Sequence, residues 1–256
     1  MKKKVLYIHG MGGGADSRIP SILKDAMPDV EVTVRTYDFD PEVASQQIHS
    51  WVLEVKPDLV VGESLGAIQT LRVRGIPHLL VSPSLNAPLY LGYLAWLALI
   101  PGVTWLFDRI YKPKDGDRQK LHFTFPVLRK YRNHRRQALA NATSAGSDDY
   151  FYAFFGTMDH YRRTGVVSIR TWKKYFGETY TIYDGTHFTE EEYICSLVIP
   201  KIKEYVQDMP SNPLQGYGEP SSSRQLQVHT LCVRGSFPCL ESCRMKQQEL
   251  PLLSHY

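Results

Sequence analysis

Three polar residues of the chain, a serine, an aspartate and a histidine, each follow an apolar run. Ser64 lies in VVGESLG, Asp159 in YAFFGTMDH and His187 in TIYDGTHF. A serine hydroxyl becomes a nucleophile when a histidine takes its proton, and an aspartate holds that histidine in the correct tautomer. The chain order serine, aspartate, histidine is that of one class of such triads. We therefore expect Ser64, Asp159 and His187 to form a catalytic triad that attacks a carbonyl.

The segment around Ser64 has the pattern G-x-S-x-G, with an apolar strand predicted before it and a helix after it. In this setting the serine occupies a sharp turn that lifts its hydroxyl above the sheet. Strand and helix approach so closely that the residues two before and two after must be small, as Gly62 and Gly66 are. The backbone N–H of Leu65 then points at the oxyanion that forms when the serine attacks.

The glycine-rich segment YIHGMGGGAD, residues 7–16, permits two interpretations. One is the dinucleotide fingerprint G-x-G-x-x-G/A with an acidic residue about 20 positions later, and the positions are Gly10, Gly12, Ala15 and either Glu31 or Asp38. A dinucleotide site needs the helix to begin inside the glycine motif, whereas the first helix-start signal here is Ser17. His9 also has no use in a nucleotide loop. We favour an oxyanion loop, with the nucleotide loop as the alternative.

Short apolar strands alternate with helical patterns along most of the chain. The strands are predicted in KVLYIHG, VEVTVRTYDF, PDLVVGES, PHLLVSPS, DYFYAFFG and TYTIYDG. Continuous apolar strands joined by helices are typical of a parallel sheet covered on both faces. The predicted fold class is therefore α/β, with about six parallel strands. Each residue of the expected triad follows its own strand, at the edge where open α/β sheets bind ligands.

Two segments interrupt this alternation. Residues 87–146 contain no clear strand and would form a helical cap or lid over the carboxyl ends of the strands. Residues 208–256 begin with the linker-like PSNPLQGYGEPSSSRQ and show no persistent period, so we expect an irregular or disordered tail. The cysteines in this tail match no zinc-binding spacing. An α/β domain is thus predicted over residues 1–207, with no metal site.

These motifs resemble the α/β-hydrolase superfamily, in the compact form of small bacterial cytoplasmic esterases. The resemblance rests on YIHGMGG, VGESLG, GTMD and DGTHF and covers roughly residues 5–206; one departure is Thr186, where many members have glycine. It implies a serine hydrolase that cleaves a carboxylic ester or thioester through an acyl-enzyme, without a cofactor. It also implies the remaining roles: Met11 and Leu65 as oxyanion N–H donors, His9 and Gly10 supporting the loop, and Gly62 and Gly66 supporting the elbow.

Several alternatives remain open at this stage. The fold could be catalytically silent and bind a ligand or a partner protein. The reserve acids are Asp148, Asp149 and Asp184, of which Asp184 lies too close in sequence to His187 and the other two lie before the fifth strand. His160 is the reserve base, although we expect it to line the rim of the site. The substrate is expected to be a small ester.

The chain has 256 residues, of which 43% are hydrophobic, and a net charge of +4. This composition is typical of an ordinary globular protein. Four cysteines do not form a disulfide framework in a chain this long, and the basic start MKKK lacks the apolar length of a signal peptide. We therefore expect a cytoplasmic protein. The apolar stretch 87–107 approaches the length of a membrane span, but Pro101 and Gly102 interrupt it, and we predict a helical hairpin packed on the domain.

Basic residues concentrate between Arg109 and Arg136, where ten Lys/Arg accompany two Asp. A solvated helix face is the favoured interpretation. A phosphate-bearing partner or a membrane surface is the alternative. Nucleic acid binding is not expected.

Overall fold

A computed structural model describes residues 2–112, 115–144 and 149–208 of the chain. It contains six strands: β1 (Lys3–Ile8), β2 (Val30–Val34), β3 (Leu59–Glu63), β4 (His78–Val81), β5 (Phe151–Gly156) and β6 (Tyr180–Tyr183). They form one sheet in the order β2-β1-β3-β4-β5-β6, with every neighbouring pair parallel. The predicted α/β class with six parallel strands is confirmed.

The helices of the described residues fill the intervals between these strands. They are α1 (Arg18–Ala26), α2 (Pro41–Val55), α3 (Gly66–Thr70), α4 (Ala87–Leu97), α5 (Val103–Ile110), α6 (Phe125–Thr143), α7 (His160–Arg163), α8 (Ile169–Phe176), α9 (Glu191–Tyr193), a π-helical stretch Ile194–Val198, and α10 (Ile199–Asp208). Helix α2 begins as its sequence predicts, because Asp40 accepts a hydrogen bond from Glu42 N and Pro41 takes the first helical position.

One sequence-based boundary is wrong, and one helix start is correct but lacks its side-chain cap. The strand predicted through Phe39 ends at Val34, because its partner β1 ends at Ile8 and the register pairs Tyr7 with Val34. The predicted helix start is confirmed, because Ser17 is the N-cap residue of α1, but its hydroxyl bonds with the backbone N–H and C=O of Gly14 and not with the first turn of the helix. Both departures arise where the chain turns toward the glycine-rich loop.

Apolar side chains of alternate parity cover the two faces of the sheet, as the period of two along a strand requires. Val5 and Tyr7 pack in the cluster that includes residues of α1 and α10, whereas Leu6 and Ile8 pack against α2. All four side chains are fully buried. Burial of each such side chain contributes about 1.5–3 kcal/mol, so β1 is anchored from both faces.

The insertion between β4 and β5 contains helices α4, α5 and α6 in its described part. The stretch 87–107 is divided between α4 and α5, and Gly102 between them has a φ of +86°. No helix in the described part of the chain has the length and hydropathy to cross a membrane. A cluster at the base of the insertion joins it to the residue after Ser64, and its buried members are Phe39, Leu65, Leu91, Ala95, Phe123, Leu128 and Tyr131. The predicted tail, beyond Asp208, lies outside the described residues.

The strand register brings the ends of the central strands to one edge of the sheet. Ile8 is paired with Gly62, Glu63 with Val81, and Gly156 with Tyr183. The loops that follow β1, β3, β5 and β6 therefore leave the sheet side by side. Ser64, Asp159 and His187 each lie in one of these loops.

Candidate active site

Ser64 occupies the turn between β3 and α3 with a φ of +50°, a conformation that residues other than glycine rarely adopt. Such a backbone costs about 1–3 kcal/mol and persists only where its surroundings impose it. Here the N–H of Ser64 donates to Val81 O at 3.0 Å, and the N–H of Ser84 donates to Ser64 O at 3.0 Å. The turn is therefore fixed by the neighbouring strand β4.

Both glycines beside the turn are required by close packing. A Cβ on Gly62 would lie 2.8 Å from Thr70 Cβ, and one on Gly66 would lie 2.6 Å from Ile8 O. Carbon atoms in ordinary contact are about 3.5–4.0 Å apart, so a side chain at position 62 would displace the Thr70 side chain, and one at position 66 would displace the backbone at the end of β1. The absence of these side chains lets α3 begin directly against the end of β1.

A continuous series of hydrogen bonds links Ser64, His187 and Asp159. Ser64 Oγ lies 2.9 Å from His187 Nε2, and His187 Nδ1 lies 2.8 Å from Asp159 Oδ2. Because the carboxylate oxygen accepts, Nδ1 carries the hydrogen and Nε2 is free to accept the serine proton. The three side chains come from three loops, and the serine and histidine are 123 positions apart in sequence.

The histidine and the aspartate are shielded from solvent. The side chain of Asp159 is buried, and its other oxygen accepts a hydrogen bond from Tyr161 N at 2.8 Å. The ring of Tyr161 meets the ring of His187 edge-on, with centroids 4.6 Å apart. Two independent contacts therefore fix the orientation of the carboxylate and the imidazole.

The glycine-rich loop after β1 is organised around a buried histidine. His9 Nδ1 donates to Gly10 O at 2.7 Å, and its ring stacks on Tyr37 with centroids 4.2 Å apart. Tyr37 in turn donates its hydroxyl hydrogen to His9 O at 2.6 Å. Burial lowers the pKa of His9 to about 4, so the imidazole is neutral at physiological pH. It supports the loop and carries no charge there.

The loop passes directly beside Ser64. A Cβ on Gly10 would lie 3.1 Å from Ser64 Cβ, which places the backbone of residues 10 and 11 alongside the nucleophile. Among the described residues, no protein acceptor takes a hydrogen bond from the N–H of Met11 or of Leu65. The two amides that the family resemblance selects as oxyanion donors are therefore not committed to protein acceptors there.

Gln119 is a buried residue of the insertion that the sequence did not single out. Its N–H donates to Gly13 O at 2.7 Å, its Oε1 accepts from Gly12 N at 3.1 Å, and its Nε2 donates to Tyr37 O at 3.1 Å. The neighbouring backbone also touches the loop, because a Cβ on Gly14 would lie 2.7 Å from the carbonyl carbon of Asp117. The insertion therefore fixes the glycine-rich loop from outside.

A second serine, Ser84, also escaped the sequence-based selection. Its Oγ lies 3.2 Å from Ser64 Oγ, and its side chain is buried. Because the hydroxyl hydrogen of Ser64 points to His187 Nε2, the Ser84 hydroxyl is the donor in this pair. Nothing in the local sequence PSLN distinguishes this serine from an ordinary strand end.

The reserve residues lie away from the hydrogen-bonded series. Asp149 pairs with Arg74, and Asp184 is exposed and accepts from Thr157 Oγ1 at 2.6 Å. Asp148 lies outside the described residues. His160 is exposed at the rim, with its ring 6.2 Å from that of His187.

Glu63 lies under the turn and accepts a hydrogen bond from Tyr7 Oη at 2.7 Å. Burial, followed by the charge of Glu63, raises the pKa of Tyr7, so this tyrosine stays protonated as the donor.

In the part of the chain that the structure describes, no group of three His, Cys, Asp or Glu side chains is placed to hold a metal ion.

Comparison with known proteins gives matches at the level of structure only. No family model and no curated protein matches the sequence. The monoacylglycerol lipase of Paleococcus ferrophilus shares 17% identity, with 80% of this chain and 95% of that chain covered and a TM-score of 0.54. Est1E from Butyrivibrio proteoclasticus with bound ferulic acid shares 15% identity, over 80% and 89% of the two chains, with a TM-score of 0.54.

A third match is the alpha/beta hydrolase domain-containing protein 10 from mouse, at 12% identity over 82% of this chain and 92% of that one, with a TM-score of 0.54. The chain has the α/β-hydrolase fold. Identities this low establish the fold alone. Unrelated chemistries share α/β-hydrolase scaffolds, so an activity for this α/β-hydrolase domain has to be argued from its own side chains.

Proposed function

We propose that the protein is a serine hydrolase that cleaves a carboxylic ester or thioester through an acyl-enzyme. The observation that carries the proposal is the series Ser64 Oγ–His187 Nε2–Asp159, at 2.9 Å and 2.8 Å. Its serine stands on a turn with a φ of +50°. A serine on a strained turn, a histidine within reach and a buried carboxylate behind it together activate a hydroxyl.

Acylation begins when Ser64 Oγ attacks the carbonyl carbon of the ester. His187 Nε2 takes the hydroxyl proton as the C–O bond forms, and the imidazolium is stabilised by the Asp159 carboxylate. The tetrahedral intermediate then collapses, the bond to the leaving alcohol or thiol breaks, and His187 returns the proton to that leaving group. The acyl group remains on Ser64.

The negative charge of the intermediate needs fixed donors. The backbone N–H groups of Met11 and Leu65 are assigned this role, supported by the position of Gly10 beside Ser64 and by the turn at Leu65. A single oxyanion donor is worth roughly 10²–10³ in rate. Water, deprotonated by His187, then attacks the acyl-enzyme, and the acid and Ser64 are released.

The test is hydrolysis of p-nitrophenyl acetate, butyrate and octanoate by the full chain and by Ser64→Ala. We expect the variant to lose activity by a factor on the order of 10⁶, or to background. Ser196→Ala is the matched control, because Ser196 is exposed and bonds only to Glu192 O in its own helical segment. It should retain wild-type rates.

A fluorophosphonate probe separates the remaining alternatives. Labelling at Ser64 without turnover would mean a working nucleophile that needs a different acyl substrate. Absence of both labelling and turnover would overturn the proposal in favour of a silent, ligand-binding fold. A thermal shift with NAD(P) would instead support the nucleotide interpretation of the loop.

A further inference from the structure

The surface formed by α4, α5 and the loop between them is apolar and exposed; we call it the α4–α5 face. Its outward side chains include Tyr93, Trp96 and Trp105, which are 66%, 63% and 63% exposed, together with Leu99, Ile100 and Ile110. No side chain of α5 is buried. Residues 87–112 contain a single carboxylate, Asp108, against two cations, Arg109 and Lys112. Exposed apolar patches of this kind mark interaction surfaces.

A cationic groove lies next to this face. The groove has a volume of about 620 Å³ and is lined by Arg129, Arg132, Arg135 and Arg136 of α6 and by Tyr175 of α8. Arg135 is half-buried and donates to Leu85 O and Asn86 Oδ1. None of the described residues that line it is acidic. Two other cations of the same basic run form ion pairs instead: Lys130 pairs with Asp40, and Arg118 pairs with Asp16.

Direct contacts make the apolar face and the groove one continuous surface. The Arg132 guanidinium lies over the ring of Tyr93, at 5.8 Å from its centroid, and the Arg129 guanidinium lies over Phe125 at 5.4 Å. Trp96 packs edge-on against Phe125, with centroids 5.5 Å apart. Arg109 similarly lies over Trp105, at 5.6 Å. Cations and exposed aromatic rings therefore alternate across the surface.

We propose that the α4–α5 face and the arginine groove dock the protein onto a membrane surface that contains anionic phospholipids. Tryptophan and tyrosine bind at the level of lipid headgroups, and aliphatic side chains beside them enter the acyl boundary. Arginines near the surface each add about 1 kcal/mol from the negative potential of anionic lipids, which converts to roughly a fivefold gain in partition for each cation. The combination of charge and apolar area identifies the lipid surface.

Other occupants fit this surface less well. A polyanion such as nucleic acid would engage the arginines but leave Trp96, Trp105 and Ile110 in water. A second copy of the chain would bring its own arginines to the same interface, where no carboxylate among the described lining residues could pair with them. Both occupants are outcomes of the test.

Docking would also deliver substrate to the site, and this consequence rests on the proposed function. Helix α4 follows Ser84, whose Oγ lies 3.2 Å from Ser64 Oγ, and its residues Leu91 and Ala95 pack in one cluster with Leu65. Helix α4 therefore carries part of the face on one side and contacts the residue after Ser64 on the other. An ester held in the bilayer becomes the favoured substrate class.

The experiment is vesicle co-sedimentation of the full chain, with phosphatidylcholine vesicles and with vesicles that also contain phosphatidylserine. We expect binding to the anionic vesicles at low salt, weakened by salt, with a blue shift of tryptophan emission that Trp96→Phe combined with Trp105→Phe removes. Ser64→Ala should bind as the wild type does, so a failure of catalysis and a failure of docking are distinguishable.

Two double variants test the charged groove and the apolar α4–α5 face separately. Arg129→Gln with Arg132→Gln should lower the partition coefficient on anionic vesicles by about tenfold or more. Trp105→Ser with Ile110→Ser should lower it by a similar factor. Val43→Ser with Leu53→Ser, which removes exposed apolar residues from α2, is the matched control and should bind normally. Circular dichroism confirms that each variant is folded.

Three results would overturn the proposal. One is the absence of binding to anionic vesicles at low salt. Another is binding that heparin matches and that Trp105→Ser with Ile110→Ser leaves intact, which would indicate a polyanion site. The third is a wild-type dimer in sedimentation that the same variant dissociates, which would indicate that a second copy covers the face.

Discussion

Ser64 holds a backbone conformation that its own side chain does not favour, and the neighbouring residues keep it there. The bonds to Val81 and Ser84, and the bare Cα atoms of Gly62 and Gly66, fix the turn before any substrate arrives. Strain of this type is concentrated at functional sites because it pre-organises a reacting group. At the scale of the residue, the fold supplies a hydroxyl that needs no rearrangement to meet His187.

Two substitutions test whether Asp159, and not the reserve acid Asp184, is the carboxylate that orients His187. Asp159→Asn replaces an acceptor by an amide that can donate to Nδ1, so the histidine takes the wrong tautomer. We expect kcat to fall about 10⁴-fold with the structure intact. Steady-state kinetics on p-nitrophenyl butyrate measures the loss.

Asp184→Asn is the matched control, because Asp184 is exposed and lies only three residues before His187. Surface changes of this kind alter the free energy of unfolding by about 0.5 kcal/mol or less, and the Asp184 carboxylate contacts Thr157 instead of His187, so kcat should stay near the wild-type value. A loss in Asp184→Asn as large as that in Asp159→Asn would contradict the assignment of the acid.

At the scale of the element, the insertion does more than cover the sheet. Gln119 reaches out of it to hold Gly12 and Gly13, and the same side chain bonds to Tyr37 beside His9. The glycine-rich loop is therefore held between the end of β2 and the insertion. An oxyanion donor is effective only where it is fixed in advance, so the insertion is a positioning element for the proposed site.

Gln119→Ala tests this positioning role. Removal of the bond to Gly12 N frees the loop, and we expect kcat to fall by roughly 10²-fold with KM changed much less, because the loss falls on a transition-state interaction. Rates are normalised to sites titrated with a fluorophosphonate, which excludes unfolded protein from the comparison.

Gln137→Ala is the control from the same insertion, because Gln137 is exposed on α6 and contacts Arg72. It should leave kcat unchanged. If Gln119→Ala lowered the melting temperature while kcat per titrated site stayed at the wild-type value, the residue would be structural only.

The strands and the three residues of the proposed triad could be predicted from sequence, whereas the residues that support the site could not. Each strand is a local apolar run between breakers, and Ser64, Asp159 and His187 follow such runs, so both were accessible from sequence. Gln119 and Ser84 were not, because their roles depend on contacts with residues distant in the sequence. Gln119, for example, bonds to Gly12, which is 107 positions away. The early end of β2 was missed for the same reason, since the length of β1 decides it.

At the scale of the whole molecule, buried histidines couple stability to pH. Burial lowers the pKa of His9 and His78 to about 4 and that of His134 to about 3. The unfolded chain binds protons on these histidines below about pH 6.5, while the folded protein does not. Their contribution is fully present above that pH and is lost as the pH falls toward 4.

Urea unfolding between about pH 7.5 and 4.5 measures this loss. Below about pH 6, and above its folded-state pKa, each buried histidine adds about 1.4 kcal/mol per pH unit to the slope of unfolding free energy. His134→Gln should therefore reduce the slope by about that amount below pH 6, while the two proteins keep parallel curves above pH 7. Equal slopes throughout would show that His134 titrates alike in both states.

The position of β6 at the edge of the sheet has a consequence for the synthesis of the chain. Ser64 leaves the ribosome 123 residues ahead of His187, which at synthesis rates of 5–20 residues per second is roughly 6–25 s. Throughout that interval the nascent chain carries the hydroxyl without its base. Within the described part of the chain β6 is an edge strand paired with β5, so the proposed base joins the site with the last strand of the sheet in chain order. Under the proposed mechanism we therefore expect Ser64 to become reactive toward a fluorophosphonate only once β6 has paired with β5.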